Sequence, residues 1–80
     1  MLVIMKEILE TMIINLVDNK EAVSVTEKSS DKTVTFEVVV YKEDMGKVIG
    51  KQGRIAKAIR TVMKSLGAKE HKRIVIEFVG

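Results

Sequence analysis

Gly50 and Gly53 stand three residues apart near the middle of the chain, with Lys51 and Gln52 between them. Val48 and Ile49 precede the pair, and Arg54 and Ile55 follow it. Glycine reaches positive φ and, without a Cβ, lets another backbone come close. The apolar repeat of a helix begins directly after Gly53. The first turn of a helix offers unpaired N–H groups and the positive end of the helix dipole. A loop of small residues opening onto such a terminus suits a phosphate. Lys51 and Arg54 would add charge there, Lys47 stands just before, and Lys57 and Arg60 extend the track along the helix. Gln52 can donate or accept a hydrogen bond.

The charge distribution points to the same place. The chain has 80 residues and a formal net charge of +3, and that sum conceals two unlike halves. Residues 1–40 carry four lysines against seven acids, and residues 41–80 carry ten Lys/Arg against four acids. From Met45 to Lys64 there are six basic residues and no acid. Surface helices held by ion pairs mix signs. A surface of one sign, centred on the two glycines, attracts a polyanion.

Other chemistries fit poorly. A P-loop needs four residues between its glycines and then Lys-Ser/Thr, but Gly46 and Gly50 enclose three, and Gln52 follows Lys51. The dinucleotide fingerprint fails because position 48 is Val. There is one His and no Cys, so thiolate metal sites, disulfides and the usual nucleophile–base groupings are excluded. No enzyme and no cofactor are expected. The apolar run Leu2–Met5 lacks the flanks of a signal peptide, and no run approaches the roughly 20 residues of a membrane span. A cytoplasmic protein without membrane contact is expected, folded as one domain over 1–80.

The elements that must position the loop follow from periodicity. Met5, Ile8, Leu9, Met12, Ile13 and Leu16 form the buried stripe of a helix over Leu2–Val17. Val3, Ile14 and Val17 lie off that stripe, which leaves either loops folded over them or a partner surface. Alternation predicts strands over Ala22–Lys28 and Thr33–Tyr41, joined as a hairpin through Ser29–Lys32. Asp44 is placed to N-cap a helix of one or two turns that Gly50 stops. A longer helix, about Arg54–Leu66, should bury Ile55, Ala58, Ile59, Val62, Met63 and Leu66, with Gly67 as its C′ residue. Arg73–Val79 reads as a last strand with Ile74, Ile76 and Phe78 facing inward. The class is α+β, in α-β-β-α-α-β order, with a three-stranded mixed sheet and the helices packed on one face. Val39, Tyr41, Val75 and Val79 then form apolar surplus on the bare sheet face, a second candidate for self-association.

Val48-Ile49-Gly50-Lys51-Gln52-Gly53-Arg54-Ile55 resembles the V-I-G-x-x-G-x-x-I signature of KH domains. The aliphatic usual three residues after the second glycine falls on Ala56, flanked by Ile55 and Ile59. The element order resembles the type II, bacterial arrangement. The block "EDMGKVIGKQGRIAKAIRTVMK" in a chain of this length is similar to the small KhpA family. The resemblance implies an RNA chaperone or post-transcriptional regulator that binds single-stranded RNA. It also implies pairing as a homodimer or with a KhpB (Jag-type) protein, and roles in cell-envelope homeostasis and cell-length control. The loop would clamp the backbone of about four nucleotides, over an aliphatic floor from some of Val48, Ile49, Ile55 and the second strand. Another class stays open: a KH-shaped interaction module whose basic face binds an acidic protein or DNA.

Overall fold

The computed structural model describes the backbone from Leu2 to Val79 and the side chains from Met5 to Val79. The elements are α1 (Leu2–Ile14), β1 (Ser24–Ser29), β2 (Thr33–Val39), α2 (Met45–Ile49), α3 (Arg54–Lys69) and β3 (Arg73–Val79), with single 3-10 turns at Lys20–Ala22, Lys42–Asp44 and Lys51–Gly53. The sheet runs β1-β2-β3. β1 pairs antiparallel with β2 from Ser24↔Val39 to Ser29↔Val34, and β3 pairs parallel with β2 from Thr33↔Arg73 to Val39↔Val79. This is the expected α+β class and order.

Alternation along the strands sends one side chain in two toward the helices. Val25, Val34, Phe36, Val38, Ile74 and Ile76 are buried on that face. Met5, Leu9 and Ile13 of α1, Val48 of α2, and Ile59 and Met63 of α3 close over them. Phe36 on the central strand is fully buried, and truncating a Phe so placed costs about 3–5 kcal/mol. Val17 is also core, and Ile14 is half-buried. Val17 therefore belongs to the fold and not to a partner surface. The side chain of Val3 lies outside the described residues.

Two helix ends differ from expectation. α1 stops at Ile14, and its tail tightens to the Leu16 N–H→Ile13 O bond, while Asn15 Nδ2 donates to Thr11 O at 2.7 Å. α3 runs through Gly67 to Lys69. Gly67 is buried inside the helix, where a Cβ would stand 2.3 Å from Ile74 Cγ1. It is thus a packing glycine, chosen so that β3 can lie close against α3. The left-handed C′ position falls on His71, at φ 58. Lys72 N–H bonds Gly67 O at 2.9 Å and His71 N–H bonds Ala68 O at 3.1 Å, the paired bonds of a Schellman ending.

The core stripe of α3 is also rotated from the expected one. Ala56, Ile59, Met63 and Gly67 are buried. Ala58 and Val62 are exposed, Val62 by 45%. On the outer sheet face Glu37 pairs with Glu77 in register, between the Thr35–Val75 and Val39–Val79 rows. Two carboxylates therefore divide the apolar surplus on that face.

Candidate nucleic-acid interface

α2 is short because Gly50 ends it. The Gly50 N–H bonds Gly46 O at 2.9 Å, and the chain then turns to φ 73, ψ 178. That region is open essentially to glycine alone. A Cβ at Gly50 would also stand 2.6 Å from Ile55 Cγ1. Gly50 is fixed twice over, by backbone angle and by the Ile55 side chain packed beneath it.

The next residues form a tight left-handed corner. Gln52 has φ 56, ψ 27 and Gly53 φ 73, ψ 14. The Gly53 N–H bonds Gly50 O at 3.2 Å, and the Arg54 N–H bonds Lys51 O. Lys51 and Gln52 N–H have no backbone acceptor among the described residues. Both side chains are exposed. Successive N–H groups in such a corner make an anion-binding concavity. α3 starts immediately behind it, with no acidic residue in its first turn to satisfy the positive dipole end.

The cations divide into two groups. Lys51, Arg54 and Lys57 are exposed and Arg60 is half-buried; none makes an ion pair with a carboxylate among the described residues. Arg60 donates to Ile76 O at 3.3 Å, and its guanidinium lies 5.2 Å from the centre of the Phe78 ring. Lys47, in contrast, pairs with Asp18 and lies 3.5 Å from Asp44 Oδ1. The Asp18 hydrogen bond is the main cause that raises the Lys47 pKa above its ordinary value.

Asp44 was expected to cap α2, and it does not. The residue is 3% exposed, and its side chain turns away so that Oδ2 accepts the Asn19 N–H at 2.9 Å. That bond is the largest cause lowering the Asp44 pKa from its ordinary 3.8; burial opposes it, and the Asp18 N–H and Lys47 reinforce it. Asp44 thereby fastens the root of α2 to the connection between α1 and β1. Sequence reasoning missed this because an acid before a short helix has the same spacing whether it caps or crosses.

The aliphatic residues also separate. Val48 is fully buried and anchors α2 from below. Ile49 is 36% exposed beside the loop, and Ile55 is half-buried under Gly50. Ala56, where a larger aliphatic was usual, is buried at 3% exposure. β2 is the central strand, paired on both sides, and it is the edge strand β3 that lies beside α3.

The family description "KhpA/KhpB, KH domain" matches residues 6–78. The protein named RNA-binding protein KhpA in Clostridium acetobutylicum is 53% identical over 75 residues, covering 94% of this chain and all of that protein. Proteins of the same name in Aquifex aeolicus and Listeria monocytogenes are 49% and 47% identical over 94% of this chain and 95% and 99% of their own. No solved structure matches the chain. With nearly its whole length matched, the chain belongs to the KhpA/KhpB family of KH domains.

Proposed function

We propose that this protein binds single-stranded RNA by seating a backbone phosphate in the Gly50–Gly53 corner. One observation carries the reading: the Lys51 and Gln52 N–H groups, with no backbone acceptor among the described residues, stand at the positive end of α3, beside cations that pair with no carboxylate among those residues. Lys51 and Arg54 flank the phosphate, Gln52 hydrogen-bonds beside it, and Lys57 and Arg60 guide the strand down α3. Ile49 and Ile55 offer apolar surface to a base. Lys47 contributes through the placement of α2, since two carboxylates already hold its ammonium. Relatives named for RNA binding support the ligand class.

Among the aromatics, Phe36 is buried and Phe78 lies under Arg60, which leaves Tyr41 exposed at 44%. Base stacking on aromatic platforms is therefore scarce. Binding is of modest affinity and low base specificity for one domain. Pairing of two KH domains, as a homodimer or with a KhpB-type protein, raises the effective concentration of the second site. The surface that fits such pairing is the apolar groove between α1 and α3, in the part away from the loop lined by Met12, Leu16, Ala58 and Val62. The sheet face fits less well, because pairing there would bury Glu37 and Glu77. In the cell this describes a cytoplasmic, chaperone-like post-transcriptional regulator, connected by its family to envelope homeostasis and cell length.

The test is fluorescence anisotropy with labelled RNA and matched single-stranded DNA. Lys51→Asp with Gln52→Asp should abolish RNA binding with an unchanged circular-dichroism spectrum. Undiminished RNA affinity in that variant would refute the site. Equal binding of DNA, or of an acidic protein only, would favour the interaction-module class.

A further inference from the structure

α2 is a five-residue helix, Met45–Ile49, with no side-chain cap at its start. Gly46 lies inside it, with open space where a Cβ would stand. A helix this short does not hold itself in water, and an internal glycine weakens it further. Its place is therefore set by what it touches. Val48 is fully buried, and Met45 packs against the same core. Apolar contacts of this kind are not directional, so they leave the tilt of α2 about Val48 open.

Direction comes from the polar side. Asp44 Oδ2 accepts the Asn19 N–H at 2.9 Å. Lys47 pairs with Asp18 and stands 3.5 Å from Asp44 Oδ1. These are the ion pairs formed among the described residues. The segment they reach is itself fixed: Val17 is buried, its N–H bonds Ile13 O at 3.2 Å, and the Ala22 N–H bonds Asn19 O at 3.2 Å. At the other end of α2 the Gly50 N–H bonds Gly46 O, so a tilt at the root is carried to the corner. Gly50 lies six residues beyond Asp44. That is roughly 9 Å at a rise of 1.5 Å per residue, and a tilt of about 10° moves the corner by about 1.5 Å. A binding site works when it is held within about 0.5 Å of its productive geometry.

We propose that Asp44, braced by Lys47, is a positioning residue for RNA: its bond to Asn19 holds the Gly50–Gly53 corner in the conformation that receives a phosphate. Neither side chain touches the strand. This rests on the RNA reading of that corner. A positioning residue acts through the fraction of molecules whose loop is competent, and competence in one molecule of about ten weakens binding roughly tenfold. The sign of the effect separates this from electrostatics. Where charge alone matters, removing an acid near a phosphate site strengthens the hold on a polyanion. Removing this acid should weaken it.

The experiment titrates a single-stranded RNA tetramer by anisotropy over a salt series, with each variant shown to be folded by circular dichroism. Asp44→Ala should lose roughly tenfold in affinity. It should keep the wild-type slope of log K against log[salt], because no phosphate contact is removed. Asp44→Asn retains an oxygen for the Asn19 N–H and should recover most of the loss. If Asp44→Ala does not fold, Asp44→Glu replaces it: the charge stays, one methylene displaces the carboxylate, and the same loss is expected. Lys47→Gln should also keep the slope; one shallower by about 0.7 would make Lys47 a phosphate contact and overturn its part as the brace. Amide exchange gives a readout without RNA. In Asp44→Ala the hydrogen-bonded Gly50 and Gly53 amides should exchange faster. Unchanged exchange there, or a folded Asp44→Ala that binds as tightly as wild type, would overturn the proposal. The loop variant Lys51→Asp with Gln52→Asp, run alongside, distinguishes the two failures. Retained binding in it refutes the corner as the RNA site, whereas lost binding in it with full binding in Asp44→Ala refutes the positioning role alone.

Discussion

Asp44 Oδ2 accepts the Asn19 backbone N–H at 2.9 Å across twenty-five residues of sequence. The bond joins the α1–β1 connection to the helix that ends at Gly50. Lys47, one turn along, completes the cluster with Asp18. A buried carboxylate thus fixes the start of the helix whose end at Gly50 opens the loop.

Asp44→Ala should lower the urea midpoint without changing the slope of the transition, because it leaves the Asn19 N–H without its acceptor. Its pH dependence has a definite sign. The folded carboxyl titrates below its ordinary 3.8. Its stabilisation is therefore complete above the unfolded pKa and is lost as pH falls through the folded value. The stability curves of wild type and Asp44→Asn should run parallel near neutrality and converge below about pH 4. Curves that stay parallel into acid would contradict the assignment. Lys47, raised from 10.5, acts at the other end: its share is full below that value and fades as pH climbs through the folded one.

The two glycines of the loop should respond unequally. Gly50 sits where only glycine fits and against Ile55, so Gly50→Asn should cost about 2 kcal/mol or more. Gly53 lies in the left-handed region with open space where a Cβ would stand. Asn tolerates that conformation, so Gly53→Asn should cost under about 1 kcal/mol. Urea unfolding of the pair decides it, and equal losses would sink the distinction.

Gly67→Ala reverses the expectation from helix propensity. Propensity alone predicts a gain of about 1 kcal/mol for Ala over Gly inside a helix. The contact with Ile74 Cγ1, with Lys72 O 3.1 Å away as well, should turn that into a loss of about 1–3 kcal/mol. A more stable variant would mean that Ile74 can move aside.

These residues mark how much the sequence disclosed. The glycine pair, the all-basic run and the element order were legible because each depends on local spacing. Gly67 was not, since a glycine near a helix end has the same signature whether it terminates the helix or admits a strand. The left-handed C′ residue fell on His71, where composition gives little signal. Ala58 and Val62 matched the apolar stripe of α3, yet Ala56 and Gly67 took the core side. A helix tilted on a sheet rotates its buried face in a way that periodicity alone does not fix. The division of cations between Lys47 and the others depended on Asp18 and Asp44, which meet Lys47 only in the fold.

Salt should weaken binding to a short oligonucleotide in a bounded way. Two to four phosphate contacts give a slope of log K against log[salt] of roughly −1.4 to −2.8. Affinity measured for a tetramer across a salt series checks this. A flat response would exclude a phosphate clamp, and a far steeper one would indicate diffuse attraction to the whole basic face.

The most direct measurement is a titration of ¹⁵N-labelled protein with single-stranded RNA, followed by amide chemical shifts. If the Gly50–Gly53 corner holds a phosphate, the amides of Lys51, Gln52, Gly53 and Arg54 shift first and furthest, and those of Thr26, Glu37 and Glu77 on the outer sheet face stay in place. Loop amides that do not move while RNA binds, with the largest shifts on that outer face, would contradict it.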